Sequence, residues 1–177
     1  MALRTFFKWL KPTGQVKANL TQAVIPPIRR EQNPKVLSAS QRRMLLSATE
    51  NPRDKAIILL FLITGIGLRE MERLTTFDVQ GSNRGRAVTD ETVRLLTVHD
   101  RTGKWDVKLN SRACQALVNW FMVRQKGDSD ALFLNIHHRP IKWRGYQHIV
   151  NRCLKQAGIT KASIQTLRNT YQYGASY

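Results

Sequence analysis

The stretch "TGIGLREMERLTTFDV" (64–79) decides the fold of this chain, because it marks where the most apolar segment ends. The preceding residues, "KAIILLFLIT" (55–64), are apolar on nearly every side, which predicts a central, buried helix over 53–64. The glycine-rich "TGIG" (64–67) breaks that helix, and a short amphipathic helix begins near Leu68. The sequence therefore predicts a helical core built around residues 53–64.

Arg69 stands at the start of this short helix, just after the glycine break. The planar guanidinium group of arginine suits two oxygens of one phosphate, so Arg69 is a candidate phosphate ligand. The alternative is a local ion pair with Glu70 or Glu72, which follow on the same helix.

The sequence before the central helix predicts a helix, a linker and a second helix. Residues 1–10 have apolar side chains at helical spacing, but a helix of that length is not stable alone. Residues 11–37 are rich in proline and predict an extended linker. Ser38 and Gln41 predict a capping box that opens a helix ending near Ala48.

The sequence after residue 79 predicts a small sheet and three helices. A polar loop is expected over 80–90, and the hairpin strands over 92–99 and 105–110, with Gly103 supplying a positive φ in the turn. The helices are predicted over 111–127, capped by Asn110 or Ser111, over 142–158, and from near Ser163 to the end. The expected fold class is mainly α with a small antiparallel β-sheet (α+β).

The charge of the chain predicts a polyanionic partner. Its 177 residues contain 29 Lys and Arg against 12 Asp and Glu, a formal net charge of +17. The basic residues are spread along the chain, which favours a folded binding face over a basic tail. A generally basic, ribosome-associated protein is the alternative that charge alone leaves open. No apolar run reaches the roughly 18–20 residues of a membrane span.

The cysteines and histidines do not predict a metal site. Cys114 and Cys153 lie far apart on apolar helical patterns and are expected to be buried free thiols in a reducing compartment. The four histidines have no cysteine or carboxylate partners at metal-ligand spacing. We therefore expect no metal.

Two further basic features lie far along the chain from Arg69. Arg168, in "SIQTLRNTY", is predicted to open the last helix, where backbone donors and the helix dipole favour an anion. Arg101 and Lys104 flank the predicted hairpin turn "DRTGK" (100–104). Taken singly, Arg168 is an arginine of a kind common in the first turn of helices, and the 100–104 turn is an ordinary solvated turn with charged residues.

The order of these features resembles the catalytic domain of the tyrosine recombinases, the phage integrase family. The first family block, T-G-x-R-x-x-E-L, is similar to "TGIGLREMERLTTFDV", with Arg69, Glu72 and Asp78 at matching positions. The second block, A-G-I-…-H-x-L-R-H-T, is similar to "AGITKASIQTLRNT", with Arg168 at its arginine. The resemblance implies the recombinase catalytic-domain fold over 38–177, a linker over 11–37, and a remnant helix of a core-binding domain over 1–10.

The resemblance also implies a chemistry. In the family a tyrosine attacks a DNA phosphodiester while two arginines hold its oxygens and a hairpin lysine protonates the leaving oxygen. Arg69, Lys104, Gln165 and Arg168 are the corresponding catalytic candidates, and Arg101, Lys142 and Arg144 are the candidate DNA-binding residues. The two arginines and the 101–104 tip are expected to converge on one basic, concave face. The implied partner is double-stranded DNA, bound by a monomer or a homo-oligomer, with no membrane and no small-molecule substrate, in the prokaryotic cytoplasm or nucleoid. Because the family's covalent chemistry conserves the energy of the phosphodiester bond, the resemblance implies no cofactor.

The chain departs from the family pattern at several catalytic positions. Gln165 and Asn169 stand where the family has histidines, and glutamine cannot exchange a proton. Arginine at 101 cannot donate a proton near neutral pH, which leaves Lys104 as the donor. Tyr171 matches a core aromatic of the second block, and the nucleophilic tyrosine of the family lies beyond the last residue.

Two functions fit this pattern. We expect a recombinase truncated at both ends, which recombines or integrates DNA in its complete form but has lost strand cleavage. The alternative is a non-catalytic DNA-binding regulator built on the same scaffold. RNA binding is a weaker third possibility, since the hairpin offers only Trp105 as an aromatic for base stacking.

Overall fold

The computed structural model describes residues 2–16, 21, 33–79, 94–100, 102–125 and 129–174. The chain divides into two compact units, Met1–Asn33 and Pro34–Tyr177. The first unit contains helix α1 (Ala2–Leu10), which confirms the helix predicted over 1–10. Leu10 is buried, whereas Leu3, Phe6 and Trp9 are exposed.

The second unit is mainly helical with one two-stranded sheet, which confirms the predicted fold class. Its elements, in chain order, are α2 (Ala39–Ala48), α3 (Pro52–Thr64), α4 (Leu68–Arg73), β1 (Leu95–His99), β2 (Lys104–Lys108), α5 (Ser111–Val123), α6 (Trp143–Gln156) and α7 (Ile164–Tyr173). A short 3₁₀ turn, Thr76–Asp78, follows α4. No helix in the part of the chain that the structure describes is long and apolar enough to cross a membrane.

Helix α3 is the centre of the second unit, as its apolar sequence predicts. Every residue from 56 to 64 is buried, and the helix contacts α2, α5, α6 and α7. Asn51 caps its first turn, and Pro52 occupies a position where no amide hydrogen is needed. The helix ends at Gly65, which adopts the left-handed conformation at φ +63°.

The sheet is an antiparallel hairpin with one buried face. Leu96 pairs with Val107 and Val98 with Trp105, and the two β1 residues of this face are fully buried in the core. The turn is held by the Asp100 carboxylate, which accepts hydrogen bonds from the hydroxyl and the amide of Thr102 and from the amide of Gly103. These bonds, the one from the hydroxyl above all, lower the pKa of the Asp100 carboxyl. Gly103 has the predicted positive φ.

Helix capping agrees with the sequence at three starts. Ser38 and Gln41 form the predicted capping box of α2, Asn110 caps α5, and Ser163 caps α7 in a box with Thr166. Both cysteines are buried free thiols, as expected. The predicted 80–90 loop lies outside the described residues, and the strands are shorter than the ranges predicted from sequence.

The predicted end of α5 at Gly127 is wrong, since the helix stops at Val123. The reason is the next residue, Arg124, whose guanidinium donates to the backbone carbonyls of Ser129, Ala131 and Leu132. The backbone of Arg124 is extended (φ −68°, ψ 114°), and this conformation ends the helix while the side chain is held by the 129–132 segment. Local sequence around 123–127 does not contain this tertiary contact.

Candidate functional site

The left-handed turn after α3 is the point where the two family blocks meet. The carbonyl of Gly65 accepts a hydrogen bond of 3.0 Å from Nε of Arg168, which lies 103 positions later on α7. The ring of Tyr171, one turn further along α7, covers the same glycine, with Cδ1 2.5 Å from the place a Cβ would occupy. Gly65 therefore accommodates α7 through its positive φ and its missing side chain.

The guanidinium group of Arg168 lies along the turn that leads into α4. Its central carbon is 3.8 Å from the position a Cβ would take at Gly67, the N-cap of α4. Arg69 is the second residue of that helix. The structure thus brings the second-block arginine to the backbone from which Arg69 projects, although the two residues are far apart in sequence.

Arg69 is exposed and does not form the local ion pair that was its alternative explanation. Glu72 instead accepts a hydrogen bond from the Trp143 amide (3.1 Å) and pairs with Lys142 Nζ (3.2 Å). Glu72 thereby caps α6, whose N-cap residue makes no side-chain cap of its own. Among the residues that the structure describes, no carboxylate neutralises the Arg69 guanidinium.

Gln165 and Asn169 form a hydrogen-bonded pair beside Arg168. Gln165 accepts from Nη1 of Arg168 (3.3 Å) and donates to Oδ1 of Asn169 (2.8 Å). Asn169 in turn donates from Nδ2 to the carbonyl of Lys35 (3.3 Å). The amides at the two histidine positions of the family are therefore connected to the arginine and to the segment before α2. The Lys35 contact could not be predicted from the sequence, because nothing in the local pattern indicates it.

The hairpin that carries Lys104 is attached to the turn after α4. Lys104 is exposed at the start of β2, opposite His99. His99 Nε2 lies 2.9 Å from Oδ1 of Asp78, which ties the hairpin to the turn after α4. Arg101 is outside the described residues, so the predicted convergence of the tip on the arginines stays a prediction.

Lys142 and Arg144 flank the start of α6, where Glu72 attaches it to α4. Lys142 keeps 74% of its side chain exposed despite its ion pair. The guanidinium of Arg144 stacks over the ring of Trp143, 5.0 Å from its centroid, and this tryptophan is 44% exposed. The start of α6 thus presents two cations and an aromatic surface. It is far along the chain from both arginines, but Glu72 joins it to α4.

The tyrosines have distinct surroundings. Tyr146 is buried and donates to the carbonyl of Met71, and burial raises its pKa well above the ordinary value. Tyr171 is not in the core, contrary to expectation: its side chain is 49% exposed, because α7 directs Ile164, Leu167 and Thr170 inward. Tyr173 is exposed, and Tyr177 lies outside the described residues.

Two cavities lie away from the arginines. One, of about 430 Å³, is lined by α2, α3 and α5, including Arg43, Lys55 and Arg112. The other, of about 610 Å³, adjoins Asp54 and Arg152. Lys55 lies ten residues before Gly65 on α3, about 15 Å along the helix axis.

Known proteins match this chain in sequence. It is 29% identical over 98% of its length to a tyrosine recombinase XerC of Caldanaerobacter subterraneus, of which it covers 50%. It is 26% identical over 90% of its length to a tyrosine recombinase XerC of Bacillus subtilis, of which it covers 53%. The chain spans about half the length of the curated relatives it matches.

Solved structures match the fold. The crystal structure of XerA recombinase superposes with a TM-score of 0.68 at 21% identity, over 93% of this chain and 57% of that one. Lambda integrase (residues 75–356), as a dimer bound to a COC' core site, gives a TM-score of 0.70 at 14% identity, over 96% and 62%. The model of the phage integrase family matches residues 28–173. The chain therefore belongs to the phage integrase family, the tyrosine recombinases.

Proposed function

We propose that this chain binds double-stranded DNA and holds one backbone phosphate between Arg69 and Arg168. The observation that carries the proposal is the position of the Arg168 guanidinium, against the glycine turn that opens the helix of Arg69. A phosphate has several oxygens, and two arginine forks approaching it from neighbouring elements can each bind in a bidentate manner. Arg69 has no competing carboxylate among the described residues.

The net charge of +17 supports a polyanionic target. Lys142 and Arg144 are proposed as further phosphate contacts at the start of α6, together with Arg101 at the hairpin turn. Solved relatives with this fold include a lambda integrase dimer bound to a core site and a lambda integrase tetramer bound to a Holliday junction. By analogy we propose that copies of this chain assemble on DNA, in the prokaryotic cytoplasm or nucleoid.

For catalysis, the proposed roles follow the family. Arg69 and Arg168 would stabilise charge that develops on the phosphate, and Lys104 would give a proton to the leaving oxygen. Gln165 would hold the arginine and cannot itself transfer a proton. A tyrosine nucleophile is the remaining requirement of the reaction.

We propose that this 177-residue chain binds DNA without cleaving it. Tyr146 is buried with its hydroxyl bonded to a carbonyl, and the Tyr171 ring is packed against Gly65. Tyr173 lies five residues after Arg168, about 140° around α7 from it. In this proposal the chain contributes the phosphate-binding part of a recombinase. The alternative, a non-catalytic regulator, is favoured by the amides at positions 165 and 169, and it predicts strong preference for one DNA site.

The test of DNA binding compares R168K with R112K. Arg168 bonds to Gly65 through Nε, which lysine lacks, whereas Arg112 is an exposed arginine on α5 beside the 430 Å³ cavity. Fluorescence anisotropy with a labelled duplex should show about tenfold weaker binding for R168K and less than about twofold for R112K. Equal affinities of R168K and the unmodified chain would refute the proposed phosphate site.

Cleavage is tested with a nicked suicide duplex that traps a covalent protein–DNA link. We expect no denaturant-resistant adduct with the 177-residue chain. An adduct that maps to Tyr171, Tyr173 or Tyr177 would show that the chain carries its own nucleophile. Binding one duplex at least about 1,000-fold more tightly than random DNA would favour the regulator.

A further inference from the structure

Residues 34–37, which we call the strap, are fastened to α7 at two places. The amide of Leu37 donates to Oγ1 of Thr170 (2.8 Å), in a buried environment. The carbonyl of Lys35 accepts from Nδ2 of Asn169 (3.3 Å). Thr170 is 2% exposed and also donates to the Thr166 carbonyl (2.7 Å), so its hydroxyl uses both its donor and its acceptor capacity.

The strap is connected to Arg168 by an unbroken series of side-chain hydrogen bonds. Asn169 donates to the strap and accepts from Gln165, and Gln165 accepts from the Arg168 guanidinium. Nε of the same guanidinium is held by Gly65. The guanidinium of Arg168 is therefore held on one side by Gly65 and on the other by Gln165, which Asn169 connects to the strap.

We propose that Asn169 is a positioning residue that couples the strap to Arg168, so that attachment of the strap regulates the phosphate site. This inference rests on the proposed function, since it concerns the orientation of the proposed phosphate ligand. Asn169 touches neither DNA nor the reacting atoms in this scheme. It acts through Gln165.

The chemistry of the amide explains why asparagine suits this position. The link needs a donor toward Lys35 and an acceptor toward Gln165 from one short, neutral side chain, and an amide has both. Alanine offers neither group. A neutral imidazole offers one of each, so histidine at 169 should restore the link.

The strap also directly follows the proline-rich segment that precedes residue 34. Release of the strap would leave the Leu37 amide without its partner and free Asn169 to turn, and Gln165 would then lose the group that orients it. The guanidinium would keep its Gly65 bond but lose its second restraint.

The test uses the full chain and the matched pair N169A and Q172A. Both replace an amide on α7 with alanine, but Gln172 is exposed and takes no part in the series of bonds. The readout is the Nε–Hε resonance of Arg168 in a nitrogen–proton spectrum, assigned by its loss in R168K. N169A should move this resonance and weaken duplex binding about threefold, a modest hydrogen-bond effect, whereas Q172A should do neither. N169H should return both toward the unmodified chain.

T170V tests the strap itself. It removes the acceptor of the Leu37 amide without touching Gln165 or Arg168, and it should move the Arg168 resonance in the same direction as N169A. Thermal unfolding of each variant checks that all the chains compared are folded. N169A should keep α7 intact, because alanine has the highest helix propensity.

The outcomes separate this inference from the proposed function. An Arg168 resonance unchanged by both N169A and T170V would overturn the coupling, even if R168K weakens DNA binding. If R168K binds as the unmodified chain does, the phosphate site is wrong, while the resonance still reports on the strap. A shift with N169A but none with T170V would overturn control by the strap.

Discussion

At the scale of single residues, Gly65 carries two separate structural requirements. Its φ of +63° disfavours any side chain, and a Cβ would meet the Tyr171 ring at 2.5 Å. Gly158 shares the first requirement, with φ +71°, but nothing lies within 4 Å of its Cβ position. The two glycines therefore form a natural pair for separating backbone strain from crowding.

We predict that G158A lowers the free energy of unfolding by about 1 kcal/mol and G65A by about 2–3 kcal/mol. The difference is the cost of displacing the Tyr171 ring. Denaturant unfolding measures both values, and in a Y171A background the two substitutions should cost the same. If G65A and G158A lower the free energy of unfolding of the unmodified chain equally, the Tyr171 ring moves aside without a measurable cost.

Tyr146 predicts a specific dependence of stability on pH. Burial, with a smaller contribution from Glu72, raises the folded-state pKa of its phenol above the ordinary value of 10.0. The folded chain therefore holds this proton more tightly than the unfolded chain does. The contribution to stability is complete below pH 10 and is lost as the pH rises toward the folded-state pKa.

The measurement is the absorbance of tyrosinate during an alkaline titration. We expect one of the four tyrosines to ionise only as the chain unfolds, and Y146F to lack that late step. Y146F should also flatten the loss of stability above pH 10. A late step that survives in Y146F would assign it to another tyrosine.

At the scale of elements, a buried carboxylate joins α3 to α6. Asp54, in the first turn of α3 and 2% exposed, pairs with Arg53 (2.8 Å) and with Arg152 of α6. Removing one partner of a buried ion pair leaves a charge without compensation, which is more costly than the pair is stabilising. The pair of Glu72 and Lys142 joins α4 to α6 in the same manner, but at the surface.

We predict that D54A lowers the free energy of unfolding by about 3 kcal/mol, and that K142A lowers it by less than about 1 kcal/mol. The physical reason is solvent, which hydrates the groups that K142A leaves at the surface, whereas D54A leaves the Arg53 guanidinium, only 13% exposed, without its carboxylate. Urea unfolding of the two variants provides the comparison. Similar losses in both would show that Asp54 is hydrated in solution.

At the scale of the whole molecule, net charge determines how DNA binding depends on salt. Each phosphate that the protein neutralises contributes about 0.9 to the slope of log affinity against log salt concentration. We predict that R69A/R168A lowers this slope by about 1, because both arginines hold the same phosphate. The matched control, R43A/R112A, removes as much charge beside the 430 Å³ cavity. A slope that falls equally in both variants would indicate binding by overall charge and not by the proposed site.

The sequence by itself determined the elements of this fold. The apolar residues of 53–64 predict a buried helix, Ser38 and Gln41 predict a capped one, and Gly103 predicts a tight turn. These predictions succeed because helix periodicity, capping and positive φ depend on neighbours within about four residues. The two blocks that resemble the family pattern also pointed to the family, which the family model over residues 28–173 shows.

Only the tertiary structure decided how the site is assembled. The bond from Arg168 to Gly65 spans 103 positions, and that from Asn169 to Lys35 spans 134. The end of α5 depends on carbonyls that Arg124 reaches outside its helix. No local pattern encodes such contacts, because each depends on where the packing of α7 on α3, and of the 129–132 segment on α5, places a backbone carbonyl. The sequence supplied the arginines, and the packing of the core determined which groups hold them.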